Sequence, residues 1–152
     1  MSDQDFVRMA SCDGLAEVTL GRMALEQATS PEVKRFAQRL IDDHMKANQE
    51  LSRTANKMGI TPASTMDEKE RAAADRLMQM RGAEFDRAFM HHMVRDHEKA
   101  IRLFENEAKN GQNRDLQEFA SKTVPILREH LKLARELDGG RNATRDRGQE
   151  KP

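Results

Sequence analysis

The chain contains no tryptophan, no tyrosine, one cysteine and four prolines in 152 residues. The absence of tyrosine excludes tyrosyl radical chemistry. With phenylalanine as the only aromatic, there is no stacking platform of the kind that single-stranded nucleic acids use. Cys12 has no second cysteine to pair with, and no CxxC redox or metal motif exists, so it reads as a small helix residue. The 26 basic and 26 acidic residues cancel, so the basic surplus by which proteins meet phosphate backbones is missing. No apolar run approaches the ~18 residues that cross a bilayer. The N-terminal MSDQDFVRMA lacks the apolar core of a signal peptide. As written the chain reads as soluble and unexported; a form whose leader had been trimmed would look the same. Gly-rich phosphate loops, GxSxG and HExxH are all absent, which leans against an enzyme.

Helix formers fill what remains. Long segments are rich in Ala, Leu, Met, Glu, Lys, Gln and Arg, with Gly and Pro at plausible ends. The pattern predicts a first helix from about Asp5 to Ala28. Ser30-Pro31 then caps and opens a second, which runs to about Met58 and stops at Gly59. A capping box at Thr65-Met66-Asp67-Glu68 opens a shorter helix to about Met80. A fourth follows from Glu84 to Lys109, and a fifth from Arg114 to Leu137 with Pro125 as a possible kink. All six phenylalanines fall on the inner stripes. Four long helices in two short-turn hairpins, joined by a segment with the extra short helix, predict an all-α, ferritin-like four-helix bundle. Residues 4–137 form that domain, and 138–152 read as a polar, flexible, disordered tail too poor in apolar residues to pack.

Three stretches share one frame: LIDDHMKANQEL (Leu40 to Leu51), MVRDHEKAIRLF (Met93 to Phe104) and ILREHLKLAREL (Ile126 to Leu137). In each, an acid precedes a histidine, with apolar residues at helical spacing on both sides. His44, His97 and His130 therefore lie in the apolar stripes of three helices. On the first helix, Glu17 stands within a row of small residues that includes Ala10, Gly14, Gly21 and Ala24. Counted from the turn near Ser30, Glu17 and His44 differ in height by only ~3 Å at ~1.5 Å per residue. Glu17, His44, His97 and His130 are thus candidate ligands for one divalent transition metal, Zn or Fe among them. Asp43, Asp96 and Glu129 lie about 100° around each helix, placed to orient an imidazole of a neighbouring helix from outside the ligand sphere. Asn48, one turn past His44 on the inner stripe, is a further hydrogen-bond candidate for the same cluster. The other reading is a metal-free core in which each histidine bonds to a carboxylate or backbone oxygen, with protonation near pH 6 loosening the packing. His91 and His92 read as surface residues, with His92 and Asp96 an ordinary i,i+4 pair. The buried-pattern methionines, Met90 and Met93 among them, read as core filling.

The segments FAQRLIDDH, FMHHMVRDHEKAI and LREHL carry a resemblance to a bacterial domain-of-unknown-function family of the ferritin-like superfamily, whose members are often labelled predicted outer-membrane proteins. It spans about Asp5 to Leu137. The resemblance implies a ferritin-like bundle and, for many relatives, a place in the periplasm or envelope; it implies no activity. The Glu-x-x-His of di-iron members is missing here, since Ile41, Val94 and Leu127 stand three places before the histidines. Two functions follow: a bundle holding one metal ion, or a non-catalytic structural or interaction module of the envelope or stress response. No nucleic-acid partner is expected, and protein partners and self-association stay open.

Overall fold

The computed structural model describes the backbone of residues 1–150 and the side chains of residues 1–138. Five helices follow in order: α1 (Asp3–Gln27), α2 (Pro31–Lys57), α3 (Glu68–Met78), α4 (Gly82–Asn110) and α5 (Arg114–Glu150). The described residues include no strand.

Local chemistry sets the helix ends. Ser2 caps α1 in a reciprocal box with Asp5, so the helix begins before the predicted Asp5, which is its third residue. Ser30 caps α2 with Pro31 in the first turn. At the other end Gly59 adopts φ 74°, and Ile60 N donates to Ala55 O at 2.9 Å, a left-handed closure that glycine adopts without strain. The box predicted at Thr65 shifts by two residues: Asp67 is the cap of α3 and accepts from Glu70 N at 2.8 Å. Helix α5 runs on through Pro125. Among the described side chains its last buried residue is Ala134, with Leu137 half-buried beyond it. The tail expected over 138–152 falls almost wholly where side chains lie outside the described residues.

Helix α1 packs chiefly on α2, and α4 on α5; α2 also meets α5, and α1 meets α4. The ring order is therefore α1–α2–α5–α4. One long crossover, carrying α3, links the two hairpins. Helix α3 lies along the α1–α4 seam. Two buried or part-buried acids tie each turn to the opposite hairpin. Asp86 of α4 accepts from Thr29 N, Thr29 Oγ1 and Ser30 N at 2.9–3.0 Å. Asp3 of α1 accepts from Gln112 N and Asn113 N at 3.1 and 2.8 Å. Each places a carboxylate at the start of a helix, where unpaired N–H groups and the helix dipole favour negative charge.

The core has two apolar halves. One gathers Leu20, Phe36, Leu40, Phe85, Phe89, Met93 and Ala134; the other gathers Phe6, Ala10, Leu51, Ala100, Phe104, Phe119 and Leu127. All six phenylalanines are buried, as predicted. Along every long helix buried ionisable residues separate the halves: Glu17 on α1, His44 on α2, Asp96 and His97 on α4, and His130 on α5. Residue counting matched only Glu17 with His44 within the first hairpin; the fold brings both, with His97 and His130, to the junction of the two halves.

Candidate metal centre

Height alone does not make a site; direction around the helix decides which side chains meet. His44, His97 and His130 meet. Their ring centroids are 5.4–5.9 Å apart, and one ring nitrogen from each lies within 4.8 Å of those from the other two. They are 6%, 2% and 1% exposed, so water does not compete for their nitrogens.

The outer nitrogens have partners that can only accept. His97 Nδ1 donates to Met93 O at 2.8 Å, and His130 Nε2 donates to Asp43 Oδ2 at 2.7 Å. These bonds place the proton of each neutral ring on its outer side. The remaining nitrogens, His97 Nε2 and His130 Nδ1, have no hydrogen-bond partner, nor has His44 Nε2. Buried polar atoms are nearly always paired, so three orphan nitrogens in one layer call for a common explanation.

Charge is excluded from the trio. Burial, then the proximity of His97 and His130, holds His44 well below the usual histidine range. Burial, then His130, brings His97 down to about 4. Burial lowers His130 too, against the opposing bond to Asp43. The expected loosening near pH 6 therefore moves to more acid conditions. At neutral pH the rings offer lone pairs rather than protons, the state in which imidazole binds metals.

Glu17 does not join them. It is 1% exposed, but its carboxylate groups with those of Asp13, Glu70 and Asp96. The reason is the ring order: α1 is diagonal to α5 and shares its outer seam with α3 and α4, so Glu17 turns into that seam. Burial, followed by the charges of Asp13 and Asp96, raises its pKa well above the carboxylate range. The orienting roles expected of the flanking acids divide in the same way. Asp43 of α2 does hold an imidazole of α5. Asp96 instead faces His92 and Glu70, and Glu129 lies 3.7 Å from Arg39. Asn48 packs its amide against Gly14 rather than into the histidine layer.

His92 is the residue most misplaced by the sequence reading. It is part-buried, with Nε2 2.8 Å from Glu70 Oε2 and 3.0 Å from Asp96 Oδ2. Burial opposes its charge, but the bonds to Asp96 and Glu70 prevail and lift its pKa to about 9. The i,i+4 spacing to Asp96 was a signal; the third partner, from the crossover helix, had none. His91 is exposed as expected.

A crossover-linked four-helix bundle with a buried imidazole trio thus describes the molecule. The chain belongs to the family described as Domain of unknown function (DUF4142), whose model matches residues 1–137. Its fold is similar to that of CopM in the Cu(II)-bound form, at 20% identity over 92% of this chain and 97% of that one, TM-score 0.78. It is also similar to CopM in the Cu(I)-bound form, at 22% identity over 90% and 94%, TM-score 0.75. A DUF305 fragment from Deinococcus radiodurans is 14% identical over 90% and 94%, TM-score 0.79. At these identities the likeness is one of fold. No curated protein matches the chain. Among the described residues, no helix is long and apolar enough to cross a membrane.

Proposed function

We propose that this protein binds one transition-metal ion between α2, α4 and α5 through His44, His97 and His130. The supporting observations are that each of the three rings has a buried, partnerless nitrogen and that one nitrogen from each ring lies within 4.8 Å of the other two. A metal-free hydrogen-bonded core accounts for the outer nitrogens of His97 and His130 but leaves the inner ones unsatisfied. Three neutral imidazoles suit copper or zinc, and among divalent ions Cu²⁺ binds nitrogen donors most tightly. The Cu(I)-, Cu(II)- and Ag-bound forms of CopM, a fold neighbour, make copper the first metal to test. With Glu17 turned away, a fourth donor comes from solvent or a ligand, as in open sites. Its role is to bind or carry the ion, with no reaction assigned.

The test is elemental analysis of untagged protein reconstituted with Cu²⁺ or Zn²⁺ and then desalted. The expected result is about one equivalent of metal, lost in His44→Asn and His97→Asn with helical content kept. Protein that retains no metal under any loading, or variants that retain it fully, would end the proposal.

A further inference from the structure

Away from the imidazole trio, the α1–α3–α4 seam holds a second group of metal-capable side chains. Asp13 and Glu17 are four residues apart on α1, so they share one face; Glu70 comes from the first turn of α3, and Asp96 from α4. One carboxylate oxygen from each lies within 4.8 Å of the other three. Ligands on opposite sides of an ion with ~2.0–2.6 Å bonds are separated by about this much. His92 contacts both Glu70 and Asp96 and helps to fix their positions.

The gathering of acids alone would not make a site. Glu17 supplies the second observation: it is 1% exposed, and neither carboxylate oxygen has a hydrogen-bond partner. Burial among three other acids favours the protonated form of Glu17, and a cation held by the four carboxyl groups would displace that proton and balance their charge. The cluster is also reachable. Asp13, Glu70, His92 and Asp96 line a cavity of about 660 Å³. The basic residues on its wall, such as Arg8, Lys69 and Arg95, are exposed, so water screens their charge.

We infer that Asp13, Glu17, Glu70 and Asp96 form a second cation site, taking a hard divalent ion of the Mn²⁺ or Ca²⁺ type. The donor set selects the class: carboxylate oxygens suit Mn²⁺, Ca²⁺ and Mg²⁺, whereas the imidazole trio suits softer ions. Two adjacent residues of α4, Asp96 and His97, then serve different centres on either side of the helix. The crossover helix gains a function, since without Glu70 the seam offers three carboxylates instead of four.

The test is titration of chelator-treated full-length protein with Mn²⁺, read by water-proton relaxation, with Ca²⁺ as competitor. One saturable site is expected. Losing a group that only orients a ligand costs about 10–100-fold in affinity, so Glu17→Gln and Glu70→Gln should each weaken Mn²⁺ by at least about tenfold. His44→Asn, which removes a trio ligand, should leave Mn²⁺ affinity within about twofold. Glu70 lies at the cavity edge near a helix start, so its variant tests the site independently of the buried Glu17 position. The inference is overturned by an absence of saturable Mn²⁺ binding, by wild-type affinity in both glutamine variants, or by loss confined to His44→Asn. Because copper at the trio is scored by different variants, either site can fail while the other stands.

Discussion

His130 and Asp43 join α5 to α2 through one bond, Nε2 to Oδ2 at 2.7 Å, while His130 Nδ1 is left buried and unpaired. The carboxylate thereby selects both the tautomer and the orientation of the ring. Asp43→Ala should weaken metal binding at the trio by about 10–100-fold, the usual cost of losing an orienting partner. Asp43→Asn keeps an acceptor and should lose less. Competition titration with Cu²⁺ distinguishes them; equal affinity in all three proteins would show that Asp43 has no part in the site.

Asp86 holds the α1–α2 turn against α4. Its carboxylate accepts from two backbone N–H groups and the Thr29 hydroxyl while only 1% exposed. Hydrogen bonds to a charged group contribute about 1.5–3 kcal/mol, so Asp86→Ala should destabilise by about 2 kcal/mol or more. Urea unfolding measures it. A change within a few tenths of a kcal/mol would mean that water replaces the clamp.

Gly14 and Gly21 both face α2, yet alanine should act differently at each. A Cβ at Gly21 would lie 2.8 Å from Ile41 Cγ1 and 3.3 Å from the Ala37 carbonyl, so the helices must part. Overpacking of this kind costs about 1–3 kcal/mol, which outweighs the ~1 kcal/mol that alanine gains in helix propensity. At Gly14 the obstacle is the Asn48 side-chain amide, which is half-buried and can swing outward. Gly21→Ala should lower the melting temperature, and Gly14→Ala should leave it nearly unchanged. The reverse order would refute this account of the α1–α2 contact.

Glu107 carries a pH dependence separate from either site. Burial, then the hydrogen bond and charge of Asp3, raises its pKa from 4.5 to about 8. Between those values the folded chain keeps a proton that the unfolded chain releases, so this group's contribution to stability falls as pH rises across that window. Glu107→Gln removes the effect. Its advantage over wild type should therefore grow between about pH 5 and about pH 8 and then level off. Urea midpoints at the two ends check it; a constant difference would rule it out.

Helix number, the inward phenylalanines and the near-equal heights of Glu17 and His44 within their hairpin were legible in the sequence, whereas the height of His97 and His130 relative to that pair was not. The legible features follow from spacing along one helix, and 3.6-residue periodicity with ~1.5 Å rise converts position into face and height. The resemblance carried by FAQRLIDDH, FMHHMVRDHEKAI and LREHL also pointed to a domain-of-unknown-function family, and the chain belongs to one. What spacing along single helices cannot supply is which seam a face opens onto. That depended on the ring order α1–α2–α5–α4, which set Glu17 apart from the imidazoles and left Asp43, alone of the flanking acids, bonded to one. It depended equally on where the crossover laid α3, which brought Glu70 to His92 and Asp96 from more than twenty residues away. Periodicity is a local property of the backbone. The pairing of seams is settled by how whole helices bury their apolar stripes together, and only the assembled bundle decides it.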